Sequence, residues 1–169
     1  MLEIEEIIQT YGEKLLRYAT SILCHHQDAE DVVQQVFMLA YRDRSMFDGN
    51  NLNAWLYKIT FNQCMNFKKK RKWFLFGDIR TVREETENPF DEPPESDDFL
   101  AALERLKPED RALLYGRIMD EKSYEELSEI FGKPPASLRK RYERAKKKLA
   151  GELNFWEGGR INEYKYEQA

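Results

Sequence analysis

The chain has 169 residues, 41% of them apolar, enough for one medium or two small domain cores, and its net charge of −4 excludes an evenly basic nucleic-acid binder. Two distant cysteines, Cys24 and Cys64, without a Cys-x-x-Cys pair exclude a disulfide scaffold and predict a reducing, cytoplasmic setting. No apolar run approaches the roughly 18–20 residues of a membrane span, and the acidic start is unlike a signal peptide, so we expect no membrane insertion.

Two amphipathic helices are predicted at the start of the chain. From Ile4 to Leu23 apolar residues recur at three- and four-residue steps, which is the spacing of one helix face. A second helix has Asp28 as its expected N-cap and an unbroken apolar face from Ala29 to Tyr41, and it should end near Arg44. Each helix therefore has one face suited to a shared core.

A turn rich in glycine and asparagine follows at 47–52, and a third helix is expected from about Asn53 into the basic cluster at 68–72. Its polar positions fall within an arc of about 80° at about 100° per residue. These positions are Lys58, Asn62, Asn66 and Lys69. The stripe is either a solvated face or a nucleic-acid surface, because asparagine can pair with a base edge and lysine neutralises phosphate.

Residues 77–98 contain nine acidic and two basic groups and three prolines, and no apolar periodicity. This composition predicts a flexible acidic linker between one domain at 1–76 and another at 99–153. The linker masks the basic stretches on either side of it, whose fields act locally because salt screens charges beyond roughly 8–10 Å. A tail at 154–169 carries four aromatic residues that we expect to pack on a domain or a partner, with a frayed polar terminus as the alternative. They are Phe155, Trp156, Tyr164 and Tyr166.

The second domain is expected to hold helices near 98–106, 109–119, 124–131 and 135–152, and no segment predicts a strand, so the fold class is all-α. In its last helical pair, Ser123 and Glu126 form a capping box, Gly132 ends the first helix and Pro135 starts the second. The basic second helix predicts a helix-turn-helix motif, although a solvated helical hairpin has the same composition. Candidate DNA contacts on it are Ser137, Arg139, Lys140, Arg141, Glu143 and Arg144.

Arg139 and Glu143 stand four residues apart on this helix. They can therefore read a guanine and a cytosine on one face. The alternative is an intrahelical ion pair, which contributes only a few tenths of a kcal/mol, about 0.2–0.5.

The segments around these motifs resemble one family. The stretch LERLKPEDRALLYGRIMDEKSYEELSEIFGKPPASLRKRYERAKKKL is similar to the C-terminal, minus-thirty-five-reading domain of extracytoplasmic-function (ECF) RNA polymerase sigma factors, a branch of the sigma-70 family. The stretches DAEDVVQQVFMLAYRDRSMF and AWLYKITFNQCMNFKKKRK are similar to its polymerase-binding and minus-ten-reading helices. The resemblance as a whole covers roughly 1–75 and 99–152, in the family's order.

The resemblance implies a protein that binds core RNA polymerase, recognises promoter DNA and starts transcription by holding a base flipped from the melted minus-ten element. It gives this role to Asn62 and to the preceding loop, where we expect Asp48, Asn50 and Asn51 to take part. The basic end of the third helix would contact the DNA backbone. Its candidate residues are Lys69, Lys70 and Arg71.

The side of the second helix opposite its apolar face is a candidate docking surface. It carries Asp31, Gln34, Gln35 and Met38. An exposed methionine suits an adaptable protein contact. The resemblance implies docking on the clamp helices of the polymerase's largest subunit, a further contact with the flap of the second-largest subunit, and control by an anti-sigma factor. A merely solvated face is the alternative.

No chemistry of its own is expected from this chain. The run Cys24-His25-His26 cannot easily direct adjacent side chains at one metal ion, and no phosphate loop or nucleophile–base pair is recognisable. We therefore expect no metal, no cofactor and no enzymatic activity. Two other hypotheses stay open, a stand-alone helix-turn-helix regulator and an anti-sigma-like scaffold, and dependence on core polymerase would separate all three.

Overall fold

The computed structural model describes residues 3–77 and 97–156, and no strand occurs within those ranges. A short 3-10 turn, Arg44–Met46, precedes the glycine- and asparagine-rich turn at 47–52. The helices are α1 (Ile4–Leu23), α2 (His26–Arg42), α3 (Leu52–Gly77), α4 (Asp97–Glu104), α5 (Pro108–Ile118), α6 (Tyr124–Phe131) and α7 (Pro135–Trp156). The all-α prediction is confirmed. The linker predicted at 77–98 lies outside the described residues except for its helical ends, and so does the predicted tail beyond Trp156.

Local capping chemistry sets the helix ends. The predicted box at the start of α6 is present, with the Ser123 hydroxyl accepting from the Glu126 N–H at 3.1 Å and the Glu126 carboxylate accepting from the Ser123 N–H at 2.7 Å. Gly132 ends the helix at φ 64°, a left-handed angle that glycine adopts without steric cost. The prediction of Asp28 as the N-cap of α2 is wrong, because the His25 imidazole accepts from the Asp28 N–H at 3.2 Å.

The three N-terminal helices pack around one core. Leu15, Ile22, Val36 and Leu56 are fully buried in it. At its centre the rings of Tyr18 and Tyr57 lie 4.8 Å apart at an interplanar angle of 45°. The apolar faces predicted for α1 and α2 therefore form the core of the N-terminal domain.

The C-terminal domain packs directly on the N-terminal one. Helix α5 lies against α1 and α6 lies against α3. Ala112 and Ile130 are buried in the same cluster as the N-terminal core, and the rings of Phe61 and Phe131 meet edge to face at 4.7 Å. The two domains expected from the sequence thus share a continuous apolar contact.

A buried arginine joins the domains at the end of α1. The Arg111 side chain donates from Nε to the Ile22 carbonyl at 2.9 Å and from Nη1 to the Leu106 carbonyl at 2.6 Å, with Leu103 as a further acceptor at 3.2 Å. Ile22 lies in the last turn of α1, where carbonyls lack helical partners and the helix dipole favours a cation. The guanidinium therefore satisfies carbonyls from both domains.

We predict that Arg111→Lys lowers the free energy of unfolding by about 2–4 kcal/mol, because one ammonium cannot replace a planar fork that pairs several buried carbonyls. Urea denaturation followed by circular dichroism measures the change. The control is Arg144→Lys on the exposed side of α7, which should alter stability by less than about 0.5 kcal/mol. Equal stability of the two variants would contradict the structural role of Arg111.

Candidate nucleic-acid interface

The predicted polar stripe of α3 is exposed along its whole length. Lys58, Asn62, Asn66 and Lys69 all face solvent, on the side away from buried Leu56 and Cys64. Among the described residues, no carboxylate forms an ion pair with Lys58, Lys69 or Lys70. These ammonium groups are therefore available to an external anion.

Arg71 differs from the lysines beside it. Its Nη1 lies 2.7 Å from the Asp28 carboxylate, so it ties the end of α3 to the start of α2. A cavity of about 480 Å³ opens next to this pair, with Asn66, Lys70 and Gln35 in its lining. The expected DNA contact at Arg71 stays a prediction, and binding there would compete with Asp28.

The loop before α3 has a fixed shape that its sequence explains. The Asp48 carboxylate accepts from the Asn50 N–H at 2.9 Å, and Gly49 takes φ 85°. Asn51 adopts φ 43°, and its side-chain oxygen accepts from the Ala54 N–H at 3.1 Å, which caps α3. The backbone of the loop is therefore held in its conformation by the loop's own side chains.

A cavity of about 450 Å³ lies over this loop. Its polar lining comes from Asp48, Asn50, Asn51, Lys58 and Glu129. Phe47 and Trp55, whose rings lie 5.0 Å apart, supply an aromatic wall. Trp55 is half-buried, and it packs against the N-terminal core as well as lining this cavity. Asn62 is outside the lining, one helical turn along α3 from Lys58, about 6 Å away. The loop and the stripe thus form two adjoining surfaces.

The C-terminal domain also reaches this loop. The Asn51 amide donates to the Glu129 carboxylate of α6 at 2.8 Å, and Glu129 lines the loop cavity. The Lys122 ammonium donates to the Asn53 side-chain oxygen at 2.8 Å and lies 4.0 Å from the centre of the Tyr57 ring. Burial lowers the pKa of Lys122. No local pattern in the sequence indicated these contacts, which join residues 69 and 78 positions apart.

Trp73 is a candidate contact that the sequence reasoning missed. It lies on the last described part of the basic segment of α3 and its side chain is 80% exposed. At about 100° per residue it falls inside the arc of the polar stripe, between Asn62 and Asn66. The recurring spacing from Lys58 through Lys69 could have identified it. An exposed indole beside unpaired lysines suits stacking on a nucleic-acid base.

The basic residues of α7 divide into two groups. Arg141 points inward, with Nε 2.6 Å from the Asp110 carboxylate and Nη2 3.4 Å from that of Glu109, so it holds α7 against α5. Lys140, Arg144 and Lys147 are exposed and fall within an arc of about 60°, opposite buried Leu138. Lys147 was not among the expected contacts, although its spacing from Lys140 places it on their face.

The other candidates on α7 are exposed, with specific neighbours. Ser137, Arg139 and Glu143 all face solvent. The Arg139 guanidinium lies 5.2 Å from the centre of the Tyr124 ring, and Glu143 pairs with Lys146 at 3.2 Å. The ion pair considered between Arg139 and Glu143 is therefore absent from the described contacts. Their roles in reading bases stay predictions.

The candidate docking face on α2 is exposed as expected. Its residues Asp31, Gln34, Gln35 and Met38 all face solvent, and Met38 is 71% exposed. Tyr41 and Met46 extend it with further exposed apolar surface. Several exposed large apolar side chains in one short stretch of chain are typical of a protein-contact surface.

The Cys-His-His run has structural partners. His25 caps α2, and the His26 imidazole lies 3.2 Å from the Glu30 carboxylate. Burial raises the pKa of Cys24, and it raises that of Cys64 to about 12. Within residues 3–77 and 97–156, no group of three metal-ligating side chains converges, and no helix is long and apolar enough to cross a membrane.

Two family models match the chain. Residues 7–74 match the model described as Sigma-70 region 2, and residues 96–149 match the one described as Sigma-70, region 4. The chain is 27% identical over 137 residues to the RNA polymerase sigma factor YlaC of Bacillus subtilis, covering 76% of this chain and 79% of the relative. It is 26% identical to the ECF sigma factor SigE of Mycolicibacterium smegmatis, over 86% of this chain and 59% of the relative.

Two solved structures share the fold. The sigma factor RpoE of Bartonella quintana, in complex with the anti-sigma factor NepR, aligns with a TM-score of 0.74 and 25% identity, over 89% of this chain and 96% of RpoE. CnrH in complex with the cytosolic domain of CnrY aligns with a TM-score of 0.66 and 20% identity, over 90% and 88% of the two chains. Both alignments extend across both domains.

The inward position of Arg141 and the outward position of Arg144 on α7 lead to a paired prediction. Arg141→Ala should lower the free energy of unfolding by about 1–2 kcal/mol, because it leaves two half-buried carboxylates of α5 without their cation. Arg144→Ala should leave stability unchanged and weaken binding to duplex DNA. Urea melts and fluorescence anisotropy with a labelled duplex measure the two effects. If both variants lost DNA binding equally without a change in stability, the inward assignment of Arg141 would be wrong.

Proposed function

Because this chain belongs to the sigma-70 family and is an RNA polymerase sigma factor of the ECF type, we propose that it opens promoters by capturing one unpaired base in the cavity over the 48–51 loop. The observation that carries the proposal is the composition of that cavity. Its lining combines an aromatic wall with two asparagine side chains and a lysine, beside the carboxylates of Asp48 and Glu129. A flipped base needs a flat apolar contact and hydrogen-bonding groups for its edge.

The adjoining stripe of α3 would guide the same DNA strand. Asn62 is the first exposed amide beyond the loop cavity, about 6 Å along the helix from Lys58. Lys69 and Lys70 follow at the far end, where unpaired ammonium groups neutralise phosphates. Trp73 lies between them and the end of α3 and offers a stacking surface to a further base. Base capture and backbone contact thus fall on one side of the N-terminal domain.

The C-terminal domain would bind the upstream duplex. Its exposed cations Lys140, Arg144 and Lys147 face outward from α7, which is the second helix of a helix-turn-helix. Such a helix enters the major groove, where arginine recognises guanine and lysine contacts phosphate. We infer that this surface reads the minus-thirty-five element.

The exposed face of α2 is the proposed contact with core RNA polymerase, on the clamp helices of its largest subunit. Met38 supports this role because a flexible, polarisable side chain adapts to a partner's surface. The flap of the second-largest subunit is the proposed partner of the C-terminal domain. Phosphodiester chemistry then belongs to the polymerase, and the chain itself acts by binding.

The two domains pack directly on each other, and this closed placement suggests how an anti-sigma factor would act. The chain aligns across both domains with a relative solved in complex with its anti-sigma factor. In this placement Glu129 occupies the Asn51 amide that a captured base would need. We infer that the domains separate before promoter opening and that an anti-sigma partner holds them together.

The central test is run-off transcription with purified core polymerase on double-stranded and pre-melted promoters. We predict that Asn62→Ala reduces open-complex formation about tenfold on double-stranded DNA, whereas a pre-melted template restores much of its activity. Arg144→Ala should weaken recognition of the upstream duplex on both templates, by a fold-change corresponding to about 1–3 kcal/mol. No dependence on core polymerase would overturn the function, whereas identical behaviour of the two variants would overturn only the residue assignment.

A second prediction concerns the domain contact at the loop. Glu129→Ala should raise the affinity of the free protein for a single-stranded minus-ten oligonucleotide about two- to fivefold, because it removes an exposed contact that competes for Asn51. Fluorescence anisotropy measures this change. Glu125→Ala, at an exposed glutamate of the same helix, controls for the lost negative charge. Equal gains in the two variants would show that charge alone is responsible.

A further inference from the structure

An apolar groove crosses the junction of the two domains, and none of the proposed DNA contacts lines it. Its volume is about 310 Å³, and its apolar lining is Leu103, Leu114, Tyr115, Ile118, Met119 and Leu149. The two polar residues that border it are already bonded, since the Ser21 hydroxyl donates to the Tyr18 carbonyl at 2.6 Å and the Arg111 guanidinium donates to backbone carbonyls. The groove therefore selects an apolar occupant.

Two apolar side chains at the rim of the groove are exposed to water, which is energetically unfavourable. Ile118 is 53% exposed and Met119 is 65% exposed, at the C-terminal end of α5. Complete burial of such a side chain contributes about 1.5–3 kcal/mol. Adjacent exposed apolar residues beside a preformed groove indicate an interaction surface.

We propose that the C-terminal segment of this same chain, residues 157–169, occupies the groove, with Ile161 and Tyr164 packed on Ile118 and Met119. The last described helix ends at Trp156, seven residues beyond the groove residue Leu149, which corresponds to about 10 Å along α7. Residues 157–161 can span about 16–18 Å when extended, so Ile161 can return to the groove.

The composition of the segment fits this occupant. Gly158 and Gly159 stand two and three residues after the end of the described helix, and glycine allows the backbone angles that reverse a chain. The apolar residues come after the glycines, and a tyrosine can bury its ring while its hydroxyl stays in water at the rim. Because the segment is tethered, its effective concentration reaches the millimolar range, which favours it over a second molecule.

Occupancy of the groove would act on both domains. Ser21 belongs to α1 of the N-terminal domain. Met119 follows α5 and Leu149 belongs to α7, both in the C-terminal domain. A segment that bridges them binds the closed placement better than a separated one and therefore shifts the equilibrium towards closure. Any protein partner that docks in the groove must displace it.

The experiment compares methyl NMR spectra of methionine-labelled protein with and without residues 157–169. We expect the Met119 methyl resonance to shift on truncation and the Met38 resonance, on the α2 face, to stay in place. A synthetic 157–169 peptide added to the truncated protein should restore the Met119 resonance in a saturable way. The full-length double variant Ile161→Ser, Tyr164→Ser should reproduce the truncated spectrum and guards against misfolding of the shortened chain.

An unchanged Met119 resonance in both variants would overturn the proposal. A shift that depends on protein concentration would also overturn it and assign the groove to a second copy of the chain. A Met119 resonance that moves only when core polymerase is added would assign the groove to that partner instead. The transcription assays test the proposed function independently, because truncation leaves every proposed DNA contact in place.

Discussion

The relative placement of the domains depends on one buried guanidinium. Arg111 belongs to α5, and its donors end on a carbonyl in the last turn of α1 and on carbonyls of its own domain. A charge withdrawn from water is tolerated only when its donors are paired, so this arrangement requires α1 to end where it does. Cys24 provides that end with a left-handed backbone at φ 54°. Apolar packing supplies buried surface area at this contact, whereas Arg111 fixes where α1 and α5 meet.

That placement makes the loop before α3 part of the domain interface. Asn51 caps α3 with its side-chain oxygen and donates from its nitrogen to Glu129, while Asn53 accepts from Lys122. Asn51 therefore serves the fold, the closed state and the proposed base capture. A ligand that binds only the open state must offset the closed contacts, and by linkage anything that strengthens closure weakens that ligand equally. Regulation can thus arise from contacts of modest individual energy.

The local features of the fold followed from the sequence because their causes are local. The capping box of Ser123 and Glu126, the turn at Gly132 and the apolar spacing of α1 each depend on residues within a few positions. The N-cap of α2 was misassigned because an imidazole replaced the usual short oxygen-bearing side chain. The pairing of Lys122 and Glu129 with the loop had no local signal. The inward turn of Arg141 depended on two acids of α5, more than thirty residues away.

The division of cations on α7 explains how a chain of net charge −4 can present a DNA surface. Glu109 and Asp110 neutralise Arg141 on the inner side of the helix, and Glu143 pairs with Lys146. Lys140, Arg144 and Lys147 lie outside these pairs and project away from the core. Since salt limits each field to about 8–10 Å, acids elsewhere in the chain do not cancel this outward patch. The number of basic residues in the helix therefore overstates its phosphate contacts, and their orientation determines which of them can meet DNA.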